Sequence, residues 1–237
     1  MIDLAGKRAL VTGGNRGIGA AVVQALHRAG AEVVYTTRGA MGAVGRGVVL
    51  DVTDRGGVVA LMADPFDIVV NNAGIITPIG RMDTLDVEEW AQNISINLVA
   101  AFHVAQQAVR GMAGRGGTIV NLSAGASRTA MEGWSAYCTG KAGLVMVTKA
   151  VHLEFAALGV RVFGFAPGVV DTDMQGVIRA SGINPVSQIP RENLIGVEGP
   201  AHAIAWLCTA AADGYAGQEV DVRTAEFRAA CGLPVLA

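Results

Sequence analysis

Seven short aliphatic runs, separated by stretches with helical spacing, govern what this chain can become. They fall at 8–11, 32–36, 47–50, 67–70, 117–122, 160–165 and 218–222. Most are apolar along their length rather than on alternate residues, the mark of strands covered on both faces. Between them, 18–28, 98–112 and 135–158 read as helices, and the link 53–65 leaves room for a helix of about two turns. Strand–helix alternation predicts a doubly wound parallel α/β sheet of about seven strands, with helices on both faces, in a single domain spanning 1–237. The least regular stretch is 175–199, which contains Pro185 and Pro190. A loop of that length in a compact domain is expected to have a function, here as a lid over a substrate.

Composition narrows the function. Hydrophobic residues make up 51% of the chain and charged ones 16%, the reverse of what a disordered chain needs. The net charge of −2 offers no basic field to nucleic acid or to an anionic membrane. The longest stretch free of charged residues, 90–109, carries Gln92, Asn93, Asn97, His103 and Gln106, too polar to cross a bilayer. Cys138, Cys208 and Cys231 are odd in number and too far apart for a metal site. They read as reduced thiols in a cytoplasmic protein without a metal.

The 32 glycines are in excess, and several cluster after the first strand. Gly13, Gly14, Asn15, Arg16, Gly17, Ile18 and Gly19 follow the run 8–11 and open the first helix. Glycines there permit a tight turn and let backbone N–H groups approach a pyrophosphate. The helix N-terminus adds positive potential for that anion. A glycine-rich turn without a ligand is the alternative. The second strand ends Tyr35-Thr36-Thr37-Arg38, where an NAD site places an acid for the ribose hydroxyls. Arg38, with Arg16 as a second cation, favours a 2′-phosphate, so the expected cofactor is NADP(H).

These motifs, in this order along the chain, resemble the single-domain branch of the short-chain dehydrogenase/reductase family. The match runs from about Leu4 to Val222 through Thr12–Gly19, Asp51-Val52, Asn71-Asn72-Ala73-Gly74, Asn97, Tyr137-Cys138-Thr139-Gly140-Lys141, and Pro167-Gly168 with Thr172. The resemblance implies that Asp51 and Val52 flank the adenine and that Asn72, Ala73 and Gly74 close over the adenosine ribose. It also implies that Pro167, Gly168, Val170 and Thr172 hold the nicotinamide. Read alone, both 71–74 and 167–168 are also ordinary turn sequences.

Tyr137 and Lys141 are four residues apart on a predicted helix, which puts them on one face. A tyrosine pKa near ~10 would need ~2.7 kcal/mol of differential stabilisation to fall about two units, within reach of a neighbouring ammonium and a cationic ring. By the resemblance, Tyr137 exchanges a proton with a carbonyl or alcohol oxygen, Lys141 also bonds the nicotinamide ribose, and Asn97 holds a water linking Lys141 to solvent. The sequence departs from the family at one place. The serine that polarises the substrate carbonyl, thirteen residues before the tyrosine, is Ala124. Ser123 is the first candidate to replace it, although adjacent strand residues face opposite sides and a bulge would be required. Ser127 in the following loop is another candidate.

The expectation is therefore an NADPH-dependent carbonyl reductase, or the reverse alcohol dehydrogenase, acting on a small molecule. The alternative is an NADP-binding regulatory or scaffold protein whose chemistry is weakened at Ala124. The stretch Gly133–Cys138 also has a weak similarity to dicarbonyl and pterin-type ketone reductases, and Trp134 reads equally as a stacking surface or as packing. Apolar faces on 98–112 and 135–158 suggest subunit contacts, and the resemblance implies a homodimer or homotetramer built through these helices.

Overall fold

The computed structural model describes residues 2–42 and 44–236. Its seven strands are β1 (Arg8–Val11), β2 (Glu32–Thr37), β3 (Arg46–Val49), β4 (Ile68–Asn71), β5 (Gly117–Leu122), β6 (Val160–Ala166) and β7 (Glu219–Asp221). They form one parallel sheet in the order β3-β2-β1-β4-β5-β6-β7. The helices are α1 (Gly17–Arg28), α2 (Arg55–Leu61), α3 (Val87–Ile94), α4 (Ala101–Met112), α5 (Ser135–Phe155), α6 (Asp173–Ser181), α7 (Glu198–Leu207) and α8 (Ala225–Ala230). The expected doubly wound α/β fold is the one observed.

Alternate strand residues serve two separate cores, which explains why the runs are apolar throughout. Val33, Tyr35, Val70, Val120, Leu122, Phe163 and Phe165 face one side and pack with Val22 and Leu26 of α1 and Ile204 and Leu207 of α7. Leu10, Val34, Val69, Ile119 and Val162 face the other side, against Val58 of α2, Val104 and Val109 of α4 and Val151 of α5. The order of strands reverses between β1 and β4, so the loops leaving these two strands diverge and open a crevice at the carboxyl edge. Among the described residues no helix is long and apolar enough to cross a membrane.

The structure differs from the sequence reading in three places. The helix expected from residue 98 is preceded by α3 and a π-helical turn at Ser95–Ala100, where buried asparagine side chains engage a neighbouring loop. The helix expected to end at 158 leaves α geometry after Phe155 and tightens into a 3₁₀ turn before Gly159. The expected lid loop 175–199 is largely ordered. It contains most of α6, 3₁₀ turns at Pro185–Gln188 and Arg191–Asn193, the residue Ile195 of a bridge to Val170, and the start of α7. Met174 and Ile178, one turn apart on α6, reach the apolar cluster around Tyr137, and this burial orders the segment. The final residue, 237, lies outside the described residues.

Ile204 is fully buried between α7 and the sheet. Ile204→Ala is expected to lower unfolding free energy by roughly 2–5 kcal/mol, read from urea denaturation at unchanged slope. A loss well under 1 kcal/mol would show that α7 does not buttress the sheet.

Candidate active site

The crevice begins at the turn between β1 and α1. Gly17 has φ +53, a conformation that favours glycine. A Cβ on Gly19 would lie 2.2 Å from the carbonyl oxygen of Gly13, so only glycine lets the helix start this close to the turn. The N-cap residue Arg16 makes no side-chain cap, and the first turn of α1 carries no acidic residue. The positive end of the helix is therefore left to an outside anion. Asn15 and Ile18 are half-buried on either side of Arg16 and Gly17.

The loop after β4 is stapled to this turn. The Thr12 hydroxyl accepts from the N–H groups of Asn72 and Ala73, both at 3.0 Å. The Asn72 amide donates to the carbonyls of Thr12 at 2.8 Å and Gly13 at 2.9 Å. Val52 and Ala73 line one small crevice with Thr12. Thr172 reaches the turn from the far side: a Cβ on Gly17 would stand 3.3 Å from its methyl group. Pro167 is buried at the end of β6, and Gly168, with φ +75, packs against Ile195 and Arg223. Gly13, Gly17, Gly19, Asn72, Ala73 and Thr172 are thus brought together. The site for a nicotinamide dinucleotide fits these residues, because the cradle at Gly17 and Gly19 admits no side chain.

Arg38 and Arg16, the two expected cations, are both exposed and both paired. Arg38 lies 3.5 Å from the Asp51 carboxylate and Arg16 lies 2.9 Å from that of Asp173. Asp51 also accepts from the backbone and hydroxyl of Thr53 at 2.9 and 2.7 Å. These bonds, with the Arg38 guanidinium, hold its carboxyl below the usual range against the opposing effect of burial.

Tyr137 and Lys141 lie on one face of α5, both buried at 9% and 5% exposure. Lys141 Nζ donates to the carbonyl of Leu122 at 2.7 Å and stands 5.6 Å from the centre of the Tyr137 ring. A Cβ on Gly74 would fall 2.6 Å from Asn97 Oδ1 and 3.7 Å from Lys141 Nζ, so the 72–74 loop runs directly over this pair. Asn97 sits within the π turn, a feature common at functional sites. Its Oδ1 accepts from the Ile75 N–H at 3.1 Å, and its amide donates to the Ile75 carbonyl at 2.8 Å. Asn93, fully buried, accepts from the Asn97 amide at 2.7 Å and itself donates to the Thr77 carbonyl at 2.7 Å. Asn93 and Asn97 are four residues apart in the sequence, a spacing that permits this bond on a helix without announcing it.

Two expectations require correction. The protein's own groups do not acidify Tyr137. Burial, and secondarily the neighbouring Cys138 thiol, push its pKa above the ordinary tyrosine value. Burial lowers Lys141 to about 8. Desolvation is the leading cause for both groups. Ser123 does not take the place of the missing serine. Its N–H continues the ladder to Phe165, and its hydroxyl donates to Glu219 at 2.5 Å. Ser127 donates to the same Glu219 oxygen at 2.8 Å, and Arg128 pairs with the carboxylate at 3.1 Å. Gly164 lies under the Glu219 side chain, which lets the carboxylate reach across β6. Pairing register, invisible in a sequence, creates this network. Ala124, one residue on, packs with Tyr137, Ile76, Ala126, Trp134 and Ile178 instead.

Comparison with known proteins matches this architecture. The short chain dehydrogenase family pattern covers residues 7–182. The chain is 35% identical to the 3-oxoacyl-[acyl-carrier-protein] reductase FabG of Haemophilus influenzae over 86% of this chain and 91% of that one. It is 33% identical to the FabG of Escherichia coli over 93% and 97%. Among solved structures, a short chain dehydrogenase/reductase of Saccharomyces cerevisiae superposes with a TM-score of 0.86 at 26% identity, covering 97% of this chain and all of that one. The similarity to dicarbonyl and pterin-type reductases finds no support among these relatives. With the glycine cradle, the Tyr137–Lys141 pair and a family match over most of its length, the chain belongs to the short-chain dehydrogenase/reductase family of oxidoreductases.

Proposed function

We propose that this protein is an NADPH-dependent carbonyl reductase, running in reverse as an alcohol dehydrogenase, on ketones with apolar flanks. The observation that carries the reading is the burial of Tyr137 and Lys141 one helical turn apart. The phenol lies against an apolar wall and the ammonium lies beside Gly74 of the 72–74 loop. Reduction of a 3-oxoacyl group, the activity named for the relatives, is chemistry of this class.

Gly13, Asn15, Arg16, Gly17, Ile18 and Gly19 would hold the pyrophosphate. Asp51 and Val52 would flank the adenine, and Asn72, Ala73 and Gly74 the adenosine ribose. Tyr137 and Lys141 would bond the nicotinamide ribose, with Pro167, Gly168, Val170 and Thr172 around the ring. When bound, the reduced nicotinamide supplies hydride to the carbonyl carbon. Tyr137, kept neutral by burial, gives its proton to the carbonyl oxygen as charge develops there. Lys141, still largely protonated at pH 7, stabilises the phenolate left behind, and Asn97 continues the path to solvent. The exposed pairs of Arg38 and Arg16 with carboxylates are worth only about 0.2–1 kcal/mol each. A 2′-phosphate therefore displaces them at small cost, which supports NADPH over NADH.

The segment 175–199 would act as the lid, through Ile178 on the tyrosine cluster. Exposed Val99, Phe102, Met146 and Leu153 support a homodimer or homotetramer, and the free thiols a reducing cytoplasm. A second reading is an NADP-binding protein with little turnover, favoured by the absence of a hydroxyl at Ala124. Oxidation of NADPH with a panel of ketones separates the two.

Tyr137→Phe is expected to lower kcat by about 10²–10⁴-fold, with a far smaller effect on NADPH binding, where it removes one of several contacts; equal turnover in the variant would remove the tyrosine from the chemistry. Arg38→Ala is expected to raise KM for NADPH roughly tenfold, the loss of one charge-assisted contact, and to leave KM for NADH unchanged. A clear preference of the unmodified protein for NADH would overturn the cofactor assignment.

The Lys141 pKa of about 8 sets the pH dependence. Reduction is expected to slow as pH rises through 8 and the ammonium is lost. Stability moves the other way. Between about 8 and 10.5 the folded chain sheds a proton that the unfolded chain retains. The contribution of Lys141 to stability therefore rises across that window. Denaturation of the natural protein alongside Lys141→Met at pH 7 and 10 measures this difference; a fall with pH would contradict it.

A further inference from the structure

The apolar cluster around Tyr137 contains a polar atom without a partner. Trp134 precedes Tyr137 by three residues and is 5% exposed. Its ring meets the phenol ring edge-on, with centroids 5.8 Å apart and planes at 83°. Its backbone is fully engaged: the N–H donates to Met131 and the carbonyl accepts from Cys138. The indole Nε1–H is buried and meets no acceptor among the described residues. The nearby Trp90 differs, since its indole N–H donates to Ser135 at 3.2 Å. An unmade hydrogen bond on a buried N–H is destabilising, and native structures keep few such groups without a reason.

The other groups that could serve a substrate oxygen are already committed. Ala124 has no hydroxyl, and both Ser123 and Ser127 donate to Glu219. The cluster of Ile76, Ala124, Ala126, Tyr137 and Ile178 otherwise presents hydrocarbon and the Tyr137 hydroxyl. We propose that the Trp134 indole N–H is the second donor to the substrate carbonyl, taking the place that a serine at position 124 would fill. The inference rests on the reading of the protein as a carbonyl reductase. As the carbonyl carbon gains hydride from the reduced nicotinamide, its π electron pair moves onto oxygen. That oxygen takes the proton of Tyr137. Trp134 keeps its own proton and only hydrogen-bonds the developing oxyanion. Its partner is found only when a carbonyl oxygen arrives, so the bond strengthens toward the transition state rather than in the resting protein. The substrate class that suits this wall is a ketone whose carbonyl is the only polar group entering the cluster.

The test is a double-mutant cycle with Trp134→Phe and Ala124→Ser, using ethyl acetoacetate and NADPH. Phenylalanine keeps an aromatic ring and removes only the N–H and part of the surface. Trp134→Phe is expected to lower kcat by about 10²-fold, the typical loss for one oxyanion donor, with KM little changed. In the Ala124→Ser background, where a hydroxyl serves the same oxygen, the loss is expected to shrink to less than about tenfold. Equal losses in both backgrounds would assign Trp134 a packing role and overturn the proposal, as would no loss in either. A second measurement does not depend on turnover. The indole ¹H–¹⁵N resonance of Trp134, identified by its absence in Trp134→Phe, is expected to move downfield when ethyl 3-hydroxybutyrate is added to the natural protein with NADP⁺. No movement at saturating alcohol overturns the assignment. A natural protein that oxidises no NADPH with any ketone overturns the underlying reading as well. Normal turnover in both the natural protein and Trp134→Phe overturns this inference alone.

Discussion

The crevice depends on the joint between Thr12 and the loop that follows β4. One hydroxyl accepts from two successive N–H groups, and one asparagine amide returns two bonds to the glycine turn. The two strands at which the sheet order reverses are thereby fixed to each other just where their loops diverge. Everything else is measured from that joint. The N-terminus of α1 points into the crevice, Gly74 brings the 72–74 loop over Lys141, and the same loop continues into Ile75, which holds Asn97. Net gains of about 0.5–1.5 kcal/mol per hydrogen bond are modest for stability. For a site that must place a flexible dinucleotide, their value lies in preorganisation.

Burial acts on the two titrating groups in opposite senses. It raises Tyr137 and lowers Lys141, so each is driven toward its neutral form. The phenol is thus held in the state that can donate a proton. The ammonium remains charged at neutral pH but sits near the edge of its range. In the proposed reading a neutral phenol is the form that gives a proton to an oxyanion, and desolvation is what favours that form. The carboxylate of Glu219 takes the nearby serine hydroxyls out of that chemistry, leaving the wall beside Tyr137 apolar.

Much of the fold was legible in the sequence because both faces of the sheet are covered. Runs such as Ala9–Val11 and Ile68–Val70 are then apolar at every position, and strand ends were misplaced by only a residue or so. The glycine turn was legible because Gly17 and Gly19 obey steric rules that a sequence exposes directly. What escaped depends on contacts between distant segments. The order in 173–195 comes from Met174 and Ile178 docking on the tyrosine cluster. Glu219 reaches Ser123 only because Gly164 lies between them in the pairing register. The π turn at Ser95–Ala100 accompanies the demands of Asn93 and Asn97 on the Ile75 loop. None of these is a local pattern. The raised pKa of Tyr137 escaped for a similar reason: spacing reveals that a lysine is near, while the depth of burial is a property of the whole fold.

The central claim is that a nicotinamide dinucleotide lies across the carboxyl edge of the sheet with its pyrophosphate in the cradle at Gly17 and Gly19. Calorimetric titration of the natural protein and of Gly19→Ala with NADPH tests it most directly. Saturable binding to one site per chain is expected in the natural protein, and its loss in the variant, whose added methyl would collide with the Gly13 carbonyl. Absence of binding to the natural protein, or undiminished binding to a folded Gly19→Ala, would contradict it.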